Sequence, residues 1–290
     1  MSHIDYSAIG ERLKAYRIGQ QLTASQVAET LGISRAAIYR LERGIVVKLD
    51  TLERLAQLFN VPINSLLGSE TEYFANALAY FERMHQLEAR STRVVSYFDP
   101  FSYLLTSPQY FDYFLKMLDE ARPHHFSAAA QSAQRKTLDV LYRRKETFKA
   151  LNFEIHAIIS IRQIERFLHI GLIGKLDLPI STRMERALQA RREVEYLVDQ
   201  IKHNANLTLY LVDELLPSMT FQLFYQPEAS YVAVSPYRLG ELPNVHCGIA
   251  SVTSSAEAIA MHQHLAEEII SRSVSGHEAC AQLEELLAKL

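Results

Sequence analysis

Two cysteines, Cys247 and Cys280, are all the thiol chemistry this chain of 290 residues has. Neither belongs to a CxxC pair, so neither a disulfide framework nor a paired-cysteine metal site is expected. No run of 18 or more apolar residues occurs, which excludes an ordinary membrane-spanning helix. The opening MSHIDYSAIGERLK lacks the apolar core of a secretory signal, and a reducing cytoplasm is the expected compartment. There is no internal repeat and no low-complexity segment.

Catalytic signatures are missing too. The chain has no phosphate-cradling GxxxxGK[ST], no GxGxxG and no GxSxG elbow; Ser235-Pro236 and Ser254-Ser255 have no such frame. No catalytic residue and no cofactor is therefore assigned. Eleven histidines invite a metal, but the closest clusters, His124-His125, His246-Cys247 and His262 with His264, lack the helical i,i+4 pair or the Cys/His spacing that metals favour. On a helix, His262 and His264 would point to different faces. No metal site is expected.

What is present suffices for real cores, with 48% of the residues hydrophobic and 10% aromatic, and 290 residues leave room for two domains. Charge is spread unevenly. The first 68 residues carry a formal +2 and the remainder −5, a slightly basic head on an acidic body.

Residues 22–44, LTASQVAETLGISRAAIYRLERG, organise the rest. Thr23 with Gln26 is a capping-box signal that starts a helix. Gly32 supplies a sharp turn, Ser34 caps a second helix, and Gly44 ends it. Val27, Ala28, Leu31, Ile38 and Leu41 recur where two short helices bury apolar faces against each other. The second helix then turns Arg35, Ala36, Tyr39, Arg40 and Arg43 outward. Guanidinium forks on one exposed face suit guanine O6 and N7 or paired phosphate oxygens; an ordinary solvated helical hairpin would show the same stripe.

With GERLKAYR (10–17) before it and LDTLERLAQLFNVPINSLLG (49–68) after it, this stretch resembles the Cro/CI-type helix-turn-helix domain of the XRE family, over about a fifth of the chain. The resemblance implies five short helices, the third entering the major groove. Carried over by position, Arg35, Ala36 and Arg40 face base edges, while Ser34, Tyr39, Arg43 and Lys48 contact or approach phosphates. Arg17 and Glu42 occupy positions that form a structural ion pair in the family. Asp50 departs from the family, standing where positive charge is common; with Glu53 it reads as a cap for the fourth helix.

Beyond residue 68, where the Gly68-Ser69 break marks the expected domain boundary, residues 70–90 read as one connecting helix within a 69–92 link. Phe74, Ala77, Leu78, Phe81, Met84 and Leu87 recur at three- and four-residue steps. Such a helix either transmits strain or pairs with its twin in a dimer, or simply caps the second core. Residues 93–290 then mix strands (93–98, 153–160, 207–212, 220–225, 231–235, 245–252) with helices (109–121, 135–151, one through Ile164 and Leu168, 184–203, 254–271, 278–290). The expected class is α plus α/β: a helical head, a connecting helix and an α/β sensor or dimerisation domain with a mixed sheet. The element order also resembles the phospholipase-D-like sheets used as non-catalytic sensor domains in some regulators. The HxK motif of the enzymes is absent, since Ile170 and Gly171 follow His169.

Tyr97, Phe98, Phe101, Tyr103, Tyr110, Phe111, Tyr113 and Phe114 crowd a short stretch of the body. Aromatics fill cores and also line small-molecule pockets, so Tyr97, Phe101, Tyr103 and Tyr110 are the candidate ligand contacts. The basic runs 135–136, 143–145 and 191–192 read as solvated helix faces with partners such as Glu195, or as a second DNA contact or anion site. These readings converge on a bacterial regulator, nucleoid-associated when bound to double-stranded DNA. It binds a palindromic operator as a homodimer, under control of a small-molecule effector. Two other classes stay open: a partner-switched regulator such as an antitoxin or defence-system controller, and an enzyme regulated by the head.

Overall fold

A computed structural model describes residues 6–45, 48–67, 71–122, 126–151, 153–214 and 220–290. The Gly68-Ser69 boundary and the His124-His125 pair lie outside them.

The head is helical, as the sequence indicates: α1 (Tyr6–Gly19), α2 (Ala24–Leu31), α3 (Arg35–Glu42), α4 (Leu49–Phe59) and α5 (Ile63–Leu67). Ile9, Leu13 and Tyr16 of α1 meet Val27, Ala28, Leu31, Ile38, Leu41, Leu52 and Leu55 in its core.

The expected helix over 70–90 divides. Thr71–Phe74 is a strand, β1, and only Ala77–Glu88 is helical, as α6. Asn76 separates them by accepting a hydrogen bond from the Ala79 amide at 2.9 Å, an ordinary N-cap. Phe74 falls in helical phase with the apolar residues after it, which is why periodicity drew it into the helix. Every residue of α6 except His85 is buried, so α6 is a central element of the fold and not an exposed link.

The body continues with β2 (Arg93–Tyr97), α7 (Tyr110–Glu120), α8 (Ala128–Ala150), β3 (Glu154–Ser160), α9 (Ile161–Ile170), α10 (Ile180–His203) and β4 (Leu207–Val212). Then come β5 (Thr220–Tyr225), β6 (Ser230–Ser235), β7 (Ala250–Thr253), α11 (Ala256–Ser271), β8 (Val274–Ser275) and α12 (Gly276–Lys289). One mixed sheet runs β1-β7-β6-β5-β2-β3-β4-β8. Only β2-β3-β4 pair in parallel, through helical crossovers, and the other neighbours are antiparallel. The strand expected over 245–252 is confined to its last residues and Thr253. The short β8 gives no apolar run to read. α8 and α10 both begin earlier than their apolar periodicity suggests.

The pleat sorts side chains onto two faces. Val95, Tyr97, Ile158, Phe221, Leu223 and Val232 pack with Ala266 and Ile269 of α11. Val94, Ile155, Ala157, Ile159 and Phe224 face the larger core, which is continuous with α6, α8 and the head.

That continuity is made by α1, α6 and β1. Tyr16 stacks on Phe74 with ring centroids 5.3 Å apart, and its hydroxyl donates to the Tyr73 carbonyl. Beside them Glu72, almost wholly buried, accepts from Arg12 (2.9 Å) and from Arg83 (3.0 Å, twice). Burial alone would raise the Glu72 carboxyl, but the Arg83 and Arg12 guanidiniums outweigh it and hold the group below its ordinary value. Gly19 is required here: a Cβ would meet the Ala79 Cβ at 2.4 Å.

A candidate nucleic-acid interface and an enclosed cavity

The helix-turn-helix forms through the local bonds its sequence encodes. Thr23 Oγ1 accepts from the Gln26 amide, and Gln26 Oε1 accepts from the Thr23 amide at 2.8 Å, the reciprocal capping box. Gly32 then turns the chain at φ 64°, a left-handed conformation glycine adopts without steric cost. Ser34 Oγ accepts from the Ala37 amide at 3.1 Å, starting α3. Its oxygen accepts in capping, which leaves the O–H proton free to donate outward.

Ile38 and Leu41 point inward, and Arg35, Ala36, Tyr39, Arg40 and Arg43 are exposed, the division the 3.6-residue period requires. Arg35 donates to the Tyr39 hydroxyl at 2.9 Å and lies 5.3 Å from the centre of its ring, so the guanidinium is oriented before any partner arrives. Lys48 is exposed just before α4.

Arg17 and Glu42 form a two-pronged pair across α1 and α3, and Arg17 also donates to the Leu22 carbonyl at 2.9 Å. Glu42 is therefore architecture, and its charge is withdrawn from the outer face. Asp50 does not cap α4: Lys48 holds the cap position, with no side-chain cap bond, and Asp50 sits in the first turn. A carboxylate there still complements the positive end of the helix.

The second site is a cavity of about 40 Å³ between α6, α8 and the β5-β6 strands, enough for about three waters at roughly 10–15 Å³ each. It brings together three of the four aromatics singled out in the sequence: Phe101, Tyr103 and Tyr110 line it. Tyr97 does not, because the pleat turns it to the α11 face, where it packs with Phe221. Tyr110 and Tyr103 meet edge to face, and the Tyr110 hydroxyl donates to the Leu239 carbonyl. The buried Tyr103 hydroxyl has no hydrogen-bond partner among the described residues. Burial pushes its pKa up to about 12 against the pull of Arg144.

Sequence reasoning missed the other walls: Tyr80 and Phe81 of α6, Arg144 of α8, Gln222 of β5 and Tyr237. The 143–145 run is not a solvated face. Arg143 is exposed and pairs with Glu82 at 2.8 Å, whereas Arg144 and Lys145 are buried. Arg144 grips Glu88 of α6 through both carboxylate oxygens. Lys145 donates to Thr106 Oγ1 and the Ser107 carbonyl at 2.7 Å each, 5.1 Å from the Tyr103 ring centre. Burial brings the Lys145 ammonium down to about 8, although Glu193 pulls it back up. Burial likewise lifts Glu193, which accepts from the Ser107 amide and hydroxyl. Arg191 of the third basic run pairs with Glu195 at 3.0 Å, an i,i+4 pair on α10.

Residues 13–66 match the helix-turn-helix family model, and the chain therefore carries an XRE-type helix-turn-helix domain. The HTH-type transcriptional repressor RghR of Bacillus subtilis (strain 168) is 34% identical over 84 residues, 28% of this chain and 56% of that protein. The chain thus spans about half the length of that curated relative. Among solved structures, TrmBL2, an archaeal chromatin protein, aligns over 90% of this chain and 91% of its own, at 9% identity and a TM-score of 0.32. No helix among the described residues is long and apolar enough to cross a membrane.

Proposed function

We propose that this chain is a sequence-specific DNA-binding transcription regulator whose body is a non-catalytic sensor. The observation that carries the reading is the outward face of α3. Arg35, Ala36 and Arg40 are exposed near the start and middle of a recognition helix whose neighbouring carboxylate, Glu42, is tied to Arg17. Arg35 and Arg40 present forks to guanine edges and Ala36 offers a methyl to thymine. Tyr39, Arg43 and Lys48 flank them toward the phosphates.

One such domain reads a short half-site, so the protein binds a (pseudo)palindromic operator as a dimer. An exposed apolar stripe supports a second copy: Ile180, Met184 and Leu188 follow one another at four-residue steps along α10, each more than half exposed. Control comes from a molecule of only a few heavy atoms, the size the cavity admits, which shifts the balance of arrangements by binding one better than another. The wall that carries Tyr80 and Phe81 also carries Arg83, which grips Glu72 beside α1. A ligand that moves α6 therefore moves what the head rests on.

Genome-wide DNA capture with the full chain tests this reading. Enrichment of one sharp palindromic site supports it; a folded protein that enriches no site, with or without metabolite extract, sinks it.

A further inference from the structure

We infer that the body makes a DNA contact of its own: Lys136, on α8, reaches the phosphate backbone beside the recognition helix, so the footprint on DNA extends beyond the head. The inference rests on the DNA-binding reading above. It begins from an open groove of about 540 Å³ where head and body meet. From the head, Arg17, Thr23, Ser25, Arg35 and Tyr39 line it; from the body, Lys136 does. Among the described residues, no carboxylate lines it.

Lys136 stands about two turns into α8, roughly 12 Å along it at 1.5 Å per residue. Its Nζ donates to the Gln21 carbonyl, in the turn between α1 and α2, at 3.4 Å. That bond is long and neutral at its acceptor. A phosphate oxygen accepts a shorter, charge-assisted bond, so the ammonium gains by exchanging one for the other. The docking geometry places such an oxygen there: the recognition helix enters the major groove while the helix before it crosses the backbone. The groove lies between the start of α2 and the outward side of α3, which is the path of that backbone strand.

Charge makes the location specific. The residues after the head carry a formal −5, and an acidic body held against DNA is repelled unless cations stand where it touches. Lys136 stands at that junction. Arg135, its exposed neighbour, adds a second positive charge on the same end of α8.

The test uses the full chain and a 30-bp duplex of arbitrary sequence, because phosphate contacts need no operator. Binding is followed by fluorescence anisotropy from 50 to 200 mM salt. Each phosphate contact contributes about 0.9 to the slope of log affinity against log salt. Lys136→Gln is therefore expected to bind more weakly and to flatten the slope by about 0.9. The advantage of the parent over the variant then shrinks about threefold across that range. Lys136→Arg should restore the slope. Lys289→Gln, near the far end of α12, should leave it unchanged. If Lys48→Gln flattens the slope and Lys136→Gln does not, this inference is overturned and the DNA-binding reading stands. If the parent shows no salt-dependent binding, both fall together.

Discussion

Arg12 on the first helix of the head donates to Glu72 on the first strand of the body at 2.9 Å, and both side chains are almost sealed from solvent. Arg83 of α6 completes the cluster from the other side. An ion pair so placed ties the reading head to the sheet, and its removal leaves two guanidiniums in a dry interface. Glu72→Gln should cost about 3–5 kcal/mol, the usual penalty for stripping one partner from a buried pair. The same carboxyl sets a pH dependence. Its folded pKa lies below its ordinary value of 4.5, so its contribution is full above about pH 4.5 and is lost as pH falls through the folded value. Urea midpoints for parent and variant between pH 3 and 7 should converge at the acid end; parallel curves would contradict the pairing.

Tyr103 offers a test of the cavity. A buried hydroxyl with no partner among its protein neighbours carries a desolvation cost of about 1–3 kcal/mol where no water reaches it, and a ligand acceptor would relieve it. Tyr103→Phe should leave the free protein as stable as the parent or more so, while reducing any thermal shift given by an effector. A variant that is clearly less stable would mean that the hydroxyl is already satisfied in the free protein.

Lys145 supplies a signature in alkali. Its folded value of about 8 lies below its ordinary 10.5. Between the two the unfolded chain binds more protons, so this group's contribution to stability rises with pH over that window and is flat below it. The buried tyrosines act oppositely at higher pH: Tyr103, Tyr110 and Tyr237 are all raised by burial, so stability falls as the unfolded chain ionises near pH 10. Denaturation at pH 7, 8, 9 and 9.5 should show the rise in the parent and its loss in Lys145→Met. An unchanged profile in the variant would remove Lys145 as its source.

The α10 stripe makes the dimer testable. Met184→Asp places a charge in the middle of three exposed apolar residues, which a partner copy could cover only at a desolvation cost. Sedimentation should give a dimer for the parent and a monomer for the variant, with unchanged circular dichroism. A dimer in both would move the interface elsewhere.

The head was legible because its instructions are local. Thr23 and Gln26 are three residues apart, and Ser34 caps an amide three residues on. The body was less so because its decisive partners are distant. Arg143 and Arg144 are sequence neighbours, yet one is exposed and the other buried. The difference is set by Glu88, on a helix 56 residues away. Tyr97 and Phe101 belong to one aromatic cluster and part company at the pleat, which sends Tyr97 to the opposite face of the sheet. The helix expected over 70–90 failed for a related reason. α6 is buried nearly all round, so periodicity could not mark where it began, and the cap at Asn76 was the better signal. The cavity itself, walled by α6, α8 and β5-β6, is a tertiary product that no single stretch announces.

Sequence reading by the α3 face is tested most directly at Arg40, exposed on that helix. The full chain and Arg40→Ala are titrated onto the best captured site and onto a scrambled duplex at fixed salt. Loss of a base-reading arginine should weaken binding to the site by about 1–3 kcal/mol, roughly 5- to 150-fold, and relax the preference at one position. Binding to the scrambled duplex should change little by comparison. Equal binding of parent and variant to the site, or equal weakening on both duplexes, would contradict the account.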